Sequence, residues 1–192
     1  MNDENMEFKE LPLSPEAEEY KEKVFMPRLR KGAKDLKKII LTVLIWGSGE
    51  KSVTVYSQKR LQLRNELRKD KHLALFSEDI EKQTSNMKID ERIQADEADY
   101  IIILPTSPGS IAEFHDFAVD KSLAPKMLIL MDKRHKNGYS AKGELKMFEV
   151  EGGKVVWFSD RELRECSLIK RVKETVDIVQ KVKYLYFKFR KN

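Results

Sequence analysis

A glutamate that follows a turn-rich tetrapeptide has the clearest potential for chemistry in this sequence. The tetrapeptide is Ser107-Pro108-Gly109-Ser110, and Glu113 stands three residues after it, one turn into helix-compatible sequence. A helix N-terminus gathers unpaired backbone N–H groups and a partial positive charge, so it binds anions. A carboxylate beside an anion site indicates chemistry on a nucleotide, with Ser107, Gly109 and Ser110 as binding residues and Glu113 as the catalytic one.

The position of Glu113 is compatible with two roles. The spacing of Ser110 and Glu113 is that of a capping box, in which the carboxylate only accepts a hydrogen bond from the Ser110 N–H. In the catalytic role, the helix end would hold Glu113 ionised. An ionised carboxylate suits a nucleophile or a stabiliser of an oxocarbenium ion, and it suits a general acid poorly.

Further candidates for ligand binding lie at predicted strand ends and helix starts. Glycines after a strand allow a close backbone approach to a ligand, although the first loop lacks the third glycine of a dinucleotide fingerprint and the lysine of a P-loop. An arginine at a helix start can clamp a phosphate, and acidic residues that end a second strand commonly bind ribose hydroxyls. These candidates are Gly47, Ser48, Gly49, Arg60, Glu78 and Asp79, with Asp116 at the edge of the same crevice.

The elements that must position these residues alternate along the chain. Nearly continuous apolar runs predict buried strands at 39–46 and 100–104, and shorter runs predict strands at 72–76, 127–131 and 155–158. Residues 146–150 are a candidate hairpin partner of the last strand. Helices are predicted at 14–30, 57–69, 80–98, 110–122 and 160–183.

Strands that alternate with helices predict a doubly wound α/β fold. We expect a mainly parallel, five-stranded, Rossmann-like sheet with helices on both faces, plus an N-terminal helix and a long C-terminal helix. The corresponding division is a helical extension at 1–38 and a nucleotide-binding domain at 39–192. Ligands bind such sheets where the strand order reverses, at the carboxyl ends of the strands. The loops at 47–50 and 105–113 should therefore flank the binding crevice.

Composition limits the cofactors and the location of the protein. The single cysteine, Cys166, excludes an intrachain disulfide and a Cys-rich zinc site, and the three histidines lack metal-ligand spacing. We therefore expect no metal and no cofactor. The longest apolar run, 39–46, is too short to span a membrane, and the acidic N-terminus lacks a secretory signal. We expect a cytoplasmic protein with no membrane partner.

The excess of basic residues bears on macromolecular partners. The net charge is +5, residues 21–38 carry eight basic side chains, and aromatic and basic residues alternate at 184–191. These segments are candidates for nucleic-acid binding through charge and stacking. The alternative is a solvated face and an aromatic edge that packs on a partner or on a second copy in a homo-oligomer.

The segment YIIILPTSPGSIAEFHDFA resembles the nucleoside 2-deoxyribosyltransferase-like group. It also resembles the wider Rossmann-like superfamily of LOG cytokinin-activating phosphoribohydrolases and SLOG nucleotide-sensing domains. With WGSG after the first strand, Lys59-Arg60, and Phe76-Ser77-Glu78-Asp79, the sequence is most similar to bacterial antiviral effectors, among them those encoded beside retron reverse transcriptases. The similarity spans roughly residues 39–131 and leaves the N-terminal helix and the tail unexplained.

The resemblance implies cleavage or transfer at the N-glycosidic bond of a nucleotide, nucleoside or NAD-type substrate. Glu113 matches the deoxyribosyltransferase nucleophile, whereas the PGG glycine pair of LOG enzymes is missing and Phe114-His115 replaces a small residue. A nicotinamide leaving group needs no proton and a purine leaves better with one. The sequence offers no obvious second acid, which favours an NAD-type substrate. The alternative is a non-catalytic nucleotide-sensing module. Binding to nucleic acid or to a reverse-transcriptase complex through the basic segments is compatible with either function.

Overall fold

The structure is a computed structural model that describes residues 12–49 and 54–189. The chain divides into an N-terminal unit, Met1–Ile39, and a C-terminal unit, Ile40–Asn192. Within the described residues, no helix is both long and apolar enough to cross a bilayer. The end of the first predicted loop, at residue 50, and of the basic tail, at 190–191, lie outside the described residues.

The described part of the N-terminal unit is a helix interrupted by a π-helical turn. It runs as α1 (Pro15–Tyr20), the turn Lys21–Phe25 and α2 (Met26–Leu36). The helix starts as predicted, because Ser14 Oγ accepts a hydrogen bond from Ala17 N at 3.2 Å. It continues past the predicted end at residue 30, because Pro27 lies at the start of α2, where a missing N–H is tolerated.

Five parallel strands form the sheet of the C-terminal unit, in the order β2-β1-β3-β4-β5. The predicted parallel α/β fold is therefore confirmed. The strands are β1 (Thr42–Trp46), β2 (Leu73–Phe76), β3 (Tyr100–Ile103), β4 (Met127–Asp132) and β5 (Lys154–Phe158). The order reverses between β1 and β3, as expected for the switch point of a flavodoxin-like sheet.

Burial explains which strands read as continuous apolar runs. Every residue of β3 is buried, and so is β1 after its first residue, because helices cover both faces at the centre of the sheet. The edge strand β2 alternates instead, with Leu73 48% exposed and Ala74 fully buried. On one face, Trp46 packs on Phe117 with ring centroids 5.3 Å apart, which anchors the helix after β3 beneath β1.

Seven helices follow or connect the strands in the described part of this unit. They are α3 (Val55–Lys69), α4 (Met87–Glu97), α5 (Pro108–Phe117), α6 (Tyr139–Lys142), α7 (Glu144–Val150), α8 (Asp160–Arg164) and α9 (Ser167–Phe189). Short 3₁₀ turns occur at Ser77–Asp79, Ala124–Lys126 and Lys133–His135.

Several predicted elements differ from the structure, as the following three show. The helix predicted from residue 80 begins at Met87, because the Asn86 side chain caps the Lys88 and Ile89 amides. Residues 146–150 are helical rather than a hairpin strand, since Leu145 and Phe148 are buried at helical spacing. The long C-terminal helix is broken at 165–166 into α8 and α9.

Gly153 should be the glycine least tolerant of substitution. A Cβ there would lie 2.2 Å from ring atoms of Phe148, which is fully buried. We expect Gly153→Ala to lower the free energy of unfolding by roughly 1–3 kcal/mol, as overpacking does, in urea titrations followed by circular dichroism. The matched control is Gly109→Ala, because nothing lies within 4 Å of a Cβ there. Equal stability of the two variants would contradict the prediction.

Candidate active site

The N-cap of the helix after β3 lies three residues earlier than the sequence predicts. Ser107 is the N-cap of α5, and its Oγ accepts a hydrogen bond from Ser110 N at 3.2 Å. Ser110 Oγ accepts in return from Ser107 N at 3.0 Å, which completes a capping box. The capping box predicted between Ser110 and Glu113 is therefore wrong, because Ser110 already occupies the third helical position.

This cap uses most of the amides that an anion would need. Thr106 N also donates to Ser110 Oγ, at 3.1 Å, and Ile111 N donates to Ser107 O at 3.0 Å. Pro108 has no N–H. In the described structure, Gly109 thus keeps the free amide of the turn, and the space around its Cα is open. Ser107 and Ser110 stabilise the turn, and Gly109 lines a cavity.

Glu113 lies on the wall of a cavity at the carboxyl ends of the strands. The cavity has a volume of about 530 Å³ and lies between α4, α5 and the 3₁₀ turn after β2. This volume is within the range of small-molecule sites, roughly 300–1,000 Å³. Four predicted site residues line it, namely Glu78, Gly109, Glu113 and Asp116.

The Glu113 carboxyl group is difficult to ionise. Burial raises its pKa, the neighbouring Glu91 and Glu78 raise it further, and Arg60 lowers it, for a net pKa of about 7. The expectation that the helix end holds Glu113 ionised is therefore wrong. Glu113 lies in the second turn of α5, where the helix dipole has weakened and burial outweighs it. Near neutral pH, Glu113 populates both protonation states.

Three buried oxygen atoms on the cavity walls have no hydrogen-bond partner in the described structure. They are Glu113 Oε2 on α5, and Asp90 Oδ2 and Gln94 Oε1 on α4. Asp90 is only 4% exposed, and its other oxygen, Oδ1, accepts from Gln83 N and Thr84 N. Buried polar atoms are normally satisfied. These acceptors therefore suit a ligand that presents hydroxyl, amino or cationic groups.

Sequence reasoning missed the α4 wall completely. Asp90, Glu91 and Gln94 are spaced so that they share one side of a helix. This spacing on a helix that leads into a buried strand was the available signal. Burial also raises the pKa of Glu91, with Asp116 raising it further and Lys88 opposing. Glu91 is thus a second carboxyl group of the lining whose ionisation is disfavoured.

Arg60 holds the site together rather than facing a ligand. It is 2% exposed, and its five N–H groups are engaged with protein acceptors. Nε and Nη2 donate to Ile45 O at 3.0 and 2.7 Å, and Nη1 donates to Ser48 O at 3.2 Å. Both Nη atoms also donate to Glu78, at 2.5 and 2.7 Å.

The two acidic residues after β2 have different surroundings. Burial acts to raise the pKa of Glu78, but hydrogen bonds from Arg60 and from the backbone prevail, and the pKa lies below its ordinary value. Glu78 is therefore an ionised group at the cavity edge. Asp79 is engaged within its own turn, where Oδ2 accepts from Phe76 N at 3.2 Å and from Arg64 Nη1 at 2.9 Å.

The first loop, at residues 47–49, lies near the turn at Ser77–Asp79 but does not line the cavity. A Cβ on Gly47 would approach Arg60 Cδ at 3.1 Å and Leu104 O at 3.3 Å, so this glycine permits close packing of the protein on itself. Ser48 Oγ is 2.8 Å from Thr106 Oγ1, which ties the first loop to the third across the switch point. Gly49 has open space where a Cβ would be.

Charged side chains also stand at the mouth of the cavity. Asp116 Oδ1 accepts from Lys88 Nζ at 2.8 Å, and Lys82 is a second basic residue of the lining. These lysines supply positive charge beside an otherwise acidic lining. Among the described residues, no group of three or more His, Cys, Asp or Glu side chains could hold a metal ion.

Comparison with known protein families gives one match. Residues 56–192, about 70% of the chain, match the family model described as STM3845 retron effector protein. The chain belongs to this family. Its membership confirms the resemblance to retron-associated effectors, and it extends the similarity beyond residue 131 through α9. A search of curated proteins finds no match.

Arg60 should be the most destabilising single truncation at the site. Arg60→Ala leaves the buried Ile45 carbonyl and the Glu78 carboxylate without their donors, so we expect the free energy of unfolding to fall by roughly 3 kcal/mol. Chemical denaturation measures the loss. Lys69→Ala on the same helix is the control, since Lys69 is 71% exposed in its ion pair and its loss should cost under about 0.5 kcal/mol. A loss below about 1 kcal/mol for Arg60→Ala would refute the assigned role.

Replacing Glu113 with Gln should stabilise the protein in a pH-dependent manner. Because folding raises the pKa of Glu113 from 4.5 to about 7, its ionisation opposes folding increasingly as the pH rises between these values. Glu113→Gln should therefore match the wild type near pH 5 and exceed it by about 1–3 kcal/mol at pH 8.

Thermal unfolding of both proteins across this pH range tests the expectation. Glu97→Gln on α4 is the control, because Glu97 is exposed and lies outside the cavity lining. A capping role for Glu113 predicts the opposite result, namely that the substitution destabilises the protein at every pH.

Proposed function

We propose that this retron effector cleaves or transfers at the N-glycosidic bond of a nucleotide, nucleoside or NAD-type substrate. The observation that supports the proposal is the buried, unpartnered Oε2 of Glu113, which belongs to a carboxyl group on the wall of a ligand-sized cavity. In this proposal the activity is the antiviral output of a retron complex.

The electrostatics of the cavity favour a cationic transition state. Glu113, Glu91 and Glu78 repel one another, and the burial of Glu113 removes it from compensating water. A positive charge that develops between these carboxylates reduces both their mutual repulsion and the cost of burying Glu113. Cleavage of a glycosidic bond produces such a charge on the sugar as an oxocarbenium ion. The site therefore stabilises the transition state more than a neutral ground state, which is the requirement for catalysis.

With a candidate acid in the site, the proposal also includes substrates whose leaving group needs a proton. Nicotinamide leaves without a proton, whereas a purine benefits from a general acid. Glu91 supplies a candidate acid, because burial and Asp116 raise its pKa. In the proposed division of roles, Glu113 and Glu91 together hold one proton, which passes to a base that needs one, and the ionised Glu113 then stabilises or traps the sugar cation. Glu78, held ionised by Arg60, orients the sugar.

Base release is the direct measurement of this activity. The purified protein, alone and with its retron complex, is incubated with NAD, nucleoside monophosphates and deoxynucleosides, and free base is quantified by chromatography. We expect release from at least one substrate, and we expect Glu113→Gln to reduce the rate at least 100-fold, as the loss of a catalytic carboxylate does. Glu97→Gln should retain the wild-type rate.

The Glu113→Gln protein also separates catalysis from sensing. If the wild type binds a ligand without cleaving it, and Glu113→Gln binds the same ligand, the cavity is a nucleotide-sensing site. The enzymatic proposal then fails. Binding is measured by calorimetry with each ligand. Release of base by both proteins at equal rates would reject Glu113 as the catalytic group.

A further inference from the structure

We propose that the exposed face of α9 docks against the same face of a second copy of this chain, in antiparallel orientation. Three apolar side chains form a strip on this face, with Ile178 54%, Val182 45% and Leu185 50% exposed. Their spacing of four and three residues places them on one side of the helix. A contiguous exposed apolar strip of this kind is typical of a protein interaction surface.

The opposite side of α9 is fixed to the body of the domain. Val172 and Val176 are buried, and Lys173 Nζ lies 2.8 Å from Asp70 Oδ2. Further along the helix, Lys183 Nζ lies 2.6 Å from Asp99 Oδ2 and donates to Ile40 O at 3.2 Å. These contacts set the rotation of α9, so the strip faces outward in the folded domain.

The charges beside the strip are complementary to those of a reversed copy. The exposed residues Glu174 and Asp177 precede its centre, and the exposed residues Lys181 and Lys188 lie at the centre and beyond it. In an antiparallel pair, Glu174 of each copy lies opposite Lys188 of the other, and the two-fold axis passes near Lys181 and Val182. The two Lys181 side chains meet near this axis, and each has Asp177 one turn away on its own helix. A parallel pair would place like charges together, Glu174 beside Glu174 and Lys188 beside Lys188.

A recess beside the strip provides the shape for such packing. A cavity of about 250 Å³ is lined by Val179, Val182, Tyr186 and Phe187, together with Lys183 and Asp99. Tyr186 is 68% and Phe187 52% exposed, so apolar surface continues from the strip into the recess. In a two-fold symmetric contact, both copies present the same side chains and the same recess, so each packing interaction occurs twice.

Sedimentation velocity of the full chain over a range of micromolar concentrations tests the proposal. We expect a monomer–dimer equilibrium in the wild type, and a monomer throughout that range for Val182→Glu. The matched control is Val150→Glu, because Val150 is 83% exposed on α7 and lies outside the strip. Circular dichroism verifies that each variant is folded.

Charge reversal tests the orientation of the pair independently of apolar substitutions. Glu174→Lys and Lys188→Glu should each weaken the dimer about 10-fold, since each abolishes two ion pairs of up to about 1 kcal/mol. The double variant should restore the wild-type dissociation constant. The proposal is overturned if the wild type is monomeric throughout, if folded Val182→Glu still dimerises, or if the double variant fails to recover.

Discussion

The hydrogen bonds of one buried guanidinium determine the geometry of the candidate site. Arg60 donates to the end of β1 at Ile45, to the first loop at Ser48 and to the carboxylate of Glu78 after β2. A planar guanidinium imposes fixed directions on its five donors, so the three acceptors cannot move independently. The absence of a side chain on Gly47 permits this arrangement, because a Cβ would crowd Arg60 Cδ. The orientation of Glu78 at the cavity edge depends on this contact.

The surroundings of the carboxylates, and therefore their pKa values, differ between the candidate site and the protein surface. Asp120 is bonded to Arg92 and Ser122, and Glu162 to Lys133 and Ser159; hydrogen bonds lower the pKa of each to about 2. Glu113 has the opposite environment, since burial dominates and the nearest charges include two other carboxylates. Strongly perturbed pKa values of this kind cluster at functional sites, where burial and like charges are arranged to shift them.

The sequence predicted the sheet well and the site only in part. The central strands β1 and β3 are buried on both faces, so their apolar runs are continuous and specific.

The turn at Ser107–Ser110 was found because proline, glycine and serine restrict the local backbone. The start of α5 was misplaced, because two serines three residues apart leave several registers of capping open. Asp90 and Gln94 were missed, since a polar helix face reads as solvated until tertiary packing places it against Glu113. The sequence also did not show that Arg60 is buried and hydrogen-bonded to the protein, because its acceptors lie far from it in sequence.

The position of the acidic residues divides the molecule into an anionic interior and a cationic exterior. The chain carries a net charge of +5, whereas the cavity is lined by Glu78, Asp90, Glu91, Glu113 and Asp116. The carboxylates of the lining disfavour phosphate groups, whereas Lys82 and Lys88 of the same lining can pair with them. This distribution favours a ligand orientation with phosphates at the lysines and an uncharged or cationic portion beside the carboxylates.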